Sequence, residues 1–178
     1  ELTSASSEVY TNTQEQLDLL STALIQTYIS ADSELLQLIS EEAAANTIDS
    51  SSIGTSGSTC VITLLTPSHI ICANVGDSRA VIGTTSECIS LTEDHKPSLH
   101  DENKRIAKAG LFVHDDRVNG ELAMSRALGD FIYKNPNLSP ADQAVSCIPD
   151  IAIHSRNADE DELLILACDG VWDVISNN

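Results

Sequence analysis

The sequence predicts an α+β fold: one layered domain whose sheet is mainly antiparallel and covered by helices. Helical periodicity comes first, strands then follow in close succession, and a further helical segment precedes more strands. Strand and helix do not alternate in the way that builds parallel sheets. A length of 178 residues with 42% hydrophobic content suits a single domain with a buried core.

Residues 1 to about 12 are rich in Ser and Thr and read as loop or a frayed helix end. Leu17, Leu20, Leu24 and Tyr28 recur at helical spacing behind Glu15, which predicts a helix over about 14–29. A second helix is expected after Asp32-Ser33, with Leu35, Leu36 and Ile39 on its buried face and Ala43 to Ala45 near its end. Residues 46–59 read as an exposed Ser/Thr/Gly-rich connection. The Gly54 to Thr59 part lacks the lysine of a phosphate-binding loop and precedes a strand, so it reads as a linker.

Thr59 to Leu65 and His69 to Val75, joined by Thr66-Pro67-Ser68, predict a core hairpin. Ala80 to Gly83 and Glu87 to Leu91 predict a second strand pair around Thr84-Thr85-Ser86. Ser98 to Asp101 resembles a capping box opening a helix through Ala109, with Gly110 as its stop. Leu111 to His114 pairs with Arg117-Val118, and 135–142 is loop. Ile151 to Ser155 completes the sheet together with Glu162 to Cys168. The apolar run Leu163 to Cys168 within it reads as a strand buried on both faces.

Nine Lys and Arg against 27 Asp and Glu give a net charge of −18. That charge excludes nucleic acid and anionic membrane as partners and favours divalent metals or basic peptide segments. No apolar run approaches the ~20 residues that span a bilayer, so a soluble chain is expected. Five cysteines form no C-x-x-C pair, and Cys60, Cys72 and Cys168 lie in apolar runs. Reduced thiols in a cytoplasmic or nuclear protein follow. The chain opens at Glu1 and stops at Asn178, about one turn into a helix begun by Gly170-Val171-Trp172, so a piece of a larger domain is expected.

Two stretches place acids at strand exits. Asp169 follows the apolar run, and Asp173 lies four residues on, on the same side of the strand-to-helix corner if Val171 onward is helical. Asp77 follows Gly76 at the exit of the strand that ends in Val75. Each acid alone fits a turn or cap. Together they would repel by about 1 kcal/mol or more per pair, which a bound hard cation would reverse. Other chemistries fall away. Six residues separate Cys72 from Arg79, one too many for a cysteine-nucleophile phosphate loop, and no G-x-S-x-G or H-E-x-x-H occurs. His69, His95, His100, His114 and His154 show no ligand spacing and read as ordinary surface or core residues. Oxygen donors without a Cys/His pattern point to magnesium or manganese.

Gly57-Ser-Thr59, Ala73-Asn-Val-Gly-Asp-Ser-Arg-Ala80, Asp94-His-Lys-Pro97, Arg117-Val-Asn-Gly120, Ala123-Met-Ser-Arg-Ala-Leu-Gly-Asp130 and Ala167-Cys-Asp-Gly-Val-Trp-Asp173 occur in this order. Together they resemble the metal-dependent, type 2C protein Ser/Thr phosphatases, strongly over 57–178 and in pattern alone before that. The resemblance implies a β-sandwich flanked by helices. It also implies two magnesium or manganese ions, with a third weaker position, and a metal-activated water that attacks phosphoserine or phosphothreonine without a covalent intermediate. By the same resemblance Asp169 ligates the catalytic pair, while Asp77, Asp169 and Asp173 form the accessory position. Ser125, Arg126 and Lys134 belong to the flap near the substrate, Arg126 as a structural residue.

The family's Asp-Gly-His-Gly, an upstream acid, a phosphate-binding arginine and Gly-x-x-Asp-Asn are absent, and are expected beyond the two ends. The chain alone is therefore expected to be inactive. The parent protein is expected to be a monomeric phosphatase acting on phosphorylated proteins. The alternatives are a non-catalytic pseudophosphatase that serves as a binding module, and a regulatory domain that responds to divalent ions.

Overall fold

The computed structural model describes residues 11–45 and 54–177; the loop expected over 1–12 and the connection over 46–59 lie mostly outside them. The first element is a single helix, α1 (Gln14–Ala44), where two were expected. Thr13 and Gln16 cap it reciprocally, each side-chain oxygen accepting from the other's backbone N–H, at 3.3 and 2.9 Å. Asp32 and Ser33 are poor helix formers but neither is Pro or Gly, so they do not break the helix. The Asp32 side chain is used instead, accepting from the Gly129 N–H and from Lys134 Nζ.

The strands are β1 (Gly57–Ser58), β2 (Cys60–Leu65), β3 (His69–Val75), β4 (Arg79–Thr84) and β5 (Cys88–Ser90). After α2 (His100–Lys108) come β6 (Val113–His114), β7 (Arg117–Val118), β8 (Leu128–Gly129), β9 (Asp150–Ser155) and β10 (Asp161–Ala167), then the single turn α3 (Asp169–Trp172). Every strand pair is antiparallel. Two three-stranded sheets, β2-β3-β9 and β10-β4-β5, form the layers, and β1-β8 and β6-β7 are short two-stranded additions. The predicted hairpins hold, but the last two long strands part company, β9 joining β3 and β10 joining β4.

The sandwich core lies between the sheets, where Ile70 and Cys72 of β3 meet Ala80 and Ile82 of β4 and Leu91. The alternate face of β3 presents Ala73 and Val75 to Tyr28 of α1. So β3 is the strand buried on both faces. The run Leu163 to Cys168 is a correction to the sequence reading: among the described residues β10 pairs on one side only, with β4, and Leu163 is 55% exposed. Its apolar residues resemble those of a central strand, and only its position in the sheet tells them apart. Cys168 is likewise exposed, whereas Cys72 and Cys147 are buried and burial pushes both thiols up to about 11. The expected capping box at Ser98 does not form. Leu99 precedes the first helical residue, because the turn from Lys96 through Pro97 (Leu99 N–H to Lys96 O, 3.1 Å) starts α2 one residue later.

A third cluster, Ile106, Val118, Ala127, Tyr133, Ala144 and Val145, anchors α2 and the segment after it. Tyr28 ties α1 to the sheet: it is 1% exposed, and its hydroxyl lies 2.9 Å from Ala73 O and 3.2 Å from Cys60 O. Burial, foremost, and the Cys60 contact push the phenol well above its ordinary range. Tyr28→Phe is expected to cost about 1 kcal/mol or more in urea unfolding, because the packing stays and buried carbonyls lose a donor.

Candidate functional site

In the β4–β10 ladder Arg79 lies opposite Ala167. The pair is antiparallel, so the residues before Arg79 and those after Ala167 leave at the same end of the sheet. Asp77 and Asp169 therefore share that end. Asp173 follows one turn later, its N–H donating to Asp169 O at 2.8 Å. Trp172 Nε1 donates to Ala167 O at 2.7 Å and fixes the corner between strand and helix.

Two cations sit among these acids. The largely buried Asp77 carboxylate accepts from Lys96 Nζ at 2.5 Å. Arg79 holds Asp94 with two hydrogen bonds, Nε to Oδ1 at 2.7 Å and Nη2 to Oδ2 at 2.9 Å. Its pKa is raised above the ordinary arginine value by the bond to Asp94, against burial, and by the fields of Asp94, Asp77 and Asp173. Asp169 and Asp173 are exposed. Four carboxylates against two cations leave a formal surplus of two negative charges, the charge one divalent ion would neutralise. In donor type and charge the acids suit a hard cation such as a family of this kind would use. Among the described residues no three His, Cys, Asp or Glu side chains converge on one metal position.

The turn that carries Asp77 is tightly specified. Gly76 has φ +96°, and a Cβ on it would lie 2.2 Å from Thr59 Cγ2. Thr59 and Ser78 hydroxyls meet at 2.8 Å across that contact. Two of the sequence motifs, around Gly57 and Gly76, are thus halves of one packing unit.

Ser125, Arg126 and Lys134 face inward. Ser125 is fully buried and its hydroxyl donates to Glu102. Arg126 donates to Glu102 Oε1 at 2.8 Å, Asp150 Oδ1 at 2.6 Å and Ile148 O at 3.1 Å. Lys134 Nζ pairs with Asp32 at 2.7 Å, donates to Ala127 O and lies 5.1 Å from the centre of the Phe131 ring. These side chains hold the segment to the core, and their donors are engaged within the protein.

The centre of that network is Glu102 on α2, 4% exposed, which also receives Arg105 at 2.7 and 2.8 Å. No motif in the sequence marks Glu102 or Asp150, while Asp94 and Lys96 stand out only within the Asp94-His-Lys-Pro97 motif and Asp32 only as an expected helix start. Glu102 and Arg105 are three apart on a helix, a pairing visible in the sequence. Asp32 and Gly129 are 97 residues apart, and no local pattern connects them.

The sequence matches the profile of the family described as protein phosphatase 2C over residues 3–178. It is 44% identical over 158 residues to protein phosphatase 2C homolog 2 of Saccharomyces cerevisiae, covering 87% of this chain and 32% of that protein. It is 49% identical over 129 residues to protein phosphatase ppm-1.A of Caenorhabditis elegans, covering 72% of this chain and 27% of that one. Among solved structures, a serine-threonine phosphatase 2C from Toxoplasma gondii superposes with a TM-score of 0.72 at 26% identity, over 94% of this chain and 57% of the other. The chain spans about a third of the length of these curated relatives. Motif order, the two-layered antiparallel sandwich and the profile agree, and the chain belongs to the protein phosphatase 2C family.

Proposed function

We propose that the protein containing this chain is a protein serine/threonine phosphatase that uses magnesium or manganese, two ions in the main site and a third held more weakly. The observation that carries this is the β4–β10 register, which brings Asp77 and Asp169 to one end of the sheet beside Asp173. The family is metal-dependent, and the donors here are carboxylate oxygens. When bound, the ions supply Lewis-acid activation of water and charge neutralisation at phosphorus. Asp169 would bind the catalytic pair, and Asp77 with Asp173 the weaker ion. Lys96 and Arg79 limit the repulsion among the acids at that sheet end.

Burial pushes the Cys72 and Cys147 thiols up to about 11, which disfavours these two as nucleophiles. The substrates we infer are phosphorylated protein segments, which a net charge of −18 favours when basic residues flank them. A cytoplasmic or nuclear monomer is the setting we infer. The pairing of Asp77 with Lys96 also suits a second reading, a non-catalytic pseudophosphatase that serves as a protein-binding or regulatory module.

Phosphate release from a phosphoserine peptide by the full-length protein, with manganese and with EDTA, separates the two. Metal-dependent release supports the phosphatase. Peptide binding without release, in a folded protein shown to bind manganese, would overturn it.

A further inference from the structure

We propose that His95 is the positioning residue of Asp77, and that Asp150 fixes the imidazole tautomer in which it acts. The proposal rests on the reading of Asp77 as a cation ligand.

His95 is 2% exposed and grips the turn before Asp77 from both sides. Its Nδ1 accepts from the Gly76 N–H at 3.0 Å, and its own backbone N–H donates to Gly76 O at 3.1 Å. Asn74 Nδ2 donates to the same carbonyl at 3.2 Å. Both polar backbone atoms of Gly76 are therefore engaged, at a residue whose φ of +96° lies outside the range most side chains allow. Asp77 is the next residue, so the direction in which its carboxylate leaves the sheet depends on this turn.

The ring's protonation follows from its partners. A nitrogen that accepts an N–H carries no proton, so the single proton of the neutral ring lies on Nε2. Nε2 donates it to Asp150 Oδ2 at 3.1 Å. Asp150 is well suited as acceptor: its pKa is held down to about 2, first by the His95 bond against burial, then by Arg126. Its other oxygen accepts from Arg126 Nη1 at 2.6 Å, and Arg126 continues to Glu102. A main-chain link runs parallel to this one, the Ser125 N–H donating to His95 O at 3.0 Å. The acid turn is thus coupled to the Ser125-Arg126 segment through one imidazole. An apolar residue of similar size would fill the space but leave the Gly76 N–H without its partner.

The test uses manganese titrated calorimetrically into the full-length protein, with unfolding midpoints measured alongside. Asp77→Asn is expected to remove or weaken one binding phase. His95→Leu, which acts on Asp77 through the Gly76 backbone, is expected to weaken that same phase by up to the about 10- to 100-fold that losing a ligand's own outer partner costs. His95→Asn, whose Oδ1 stands near the place of Nδ1, is expected to recover most of the affinity. Nitrogen-15 spectra of histidine-labelled protein should show His95 protonated at Nε2 only, and Asp150→Ala should lose that signature and weaken the phase. Asp150→Ala acts at a carboxylate that is 61% exposed, so it serves where His95→Leu fails to fold.

A phase unchanged in His95→Leu, or in Asp150→Ala if His95→Leu does not fold, would overturn the proposal. So would equal weakening in His95→Leu and His95→Asn that only follows their loss of stability. If Asp77→Asn leaves every phase intact, the reading of Asp77 as a ligand fails and the positioning role falls with it.

Discussion

Asp169→Asn in the full-length protein should abolish metal-dependent phosphopeptide hydrolysis while leaving the folding free energy within about 0.5 kcal/mol of wild type. The second half of that expectation comes from the structure. Asp169 is exposed at the start of α3, and among the described residues its carboxylate makes no hydrogen bond or ion pair. Its backbone carbonyl, which the substitution keeps, supports the turn by accepting from Asp173. An acid left exposed and unpaired at a specified corner contributes little to the fold, and asparagine would cap or turn there as well. If Asp169 ligates the catalytic pair as proposed, its loss should exceed the about 10- to 100-fold that an outer partner costs, and should appear in kcat more than in KM. Undiminished turnover would remove Asp169 from the mechanism. Lost turnover together with a large fall in stability would show instead that the residue serves the fold.

The opposite pattern is expected at Glu102. Glu102→Ala should destabilise the domain by about 3–5 kcal/mol, the cost of removing one partner from a buried charge network. Arg105 and Arg126 have side chains only 14% and 16% exposed, and both would lose this carboxylate. The fully buried Ser125 hydroxyl would lose its acceptor. Burial alone would raise the Glu102 pKa, but hydrogen bonds from Arg105, Arg126 and Ser125 outweigh it and hold the carboxyl at about 2.

A carboxylate with a lower pKa folded than unfolded stabilises the fold above its unfolded value, near 4.5, and that contribution is lost as pH falls toward about 2. The stability at stake is on the order of 3 kcal/mol. Asp150, held at about 2 chiefly by His95, loses its contribution in an overlapping window. Urea unfolding of wild type and Glu102→Gln between pH 6 and about 2.5 separates them. The variant should keep a shallower dependence due to Asp150 and other acids. An unchanged slope would mean that Glu102 is not ionised in the folded protein at neutral pH.

Much of the fold was legible because its signals are local. The apolar run His69 to Val75, the turn at Thr66-Pro67-Ser68 and the stop at Gly110 follow from backbone and side-chain preferences a few residues wide, and the structure keeps all three. Where the reading failed, the deciding contact was distant. Asp32-Ser33 reads as a break, yet α1 continues through it because the Asp32 carboxylate is taken by Gly129 and Lys134, about a hundred residues on. The run Leu163 to Leu166 reads as a central strand, but its burial depends on how many neighbours it has in the sheet.

The same division runs through the site. Patterns in adjacent residues, a glycine-led turn and the end of an apolar run, are enough to place Asp77 and Asp169 at strand exits with Asp173 four residues on. Only the tertiary structure decided that Asp77 and Asp169 share a sheet end, because that depends on the pairing of Arg79 with Ala167 across the ladder. It also decided that Lys96 neutralises Asp77, that His95 holds its turn and that Ser125, Arg126 and Lys134 look inward. Charge pairing and hydrogen bonding act over a few ångströms whatever the separation along the chain, so their partners become known only once the fold has set those distances.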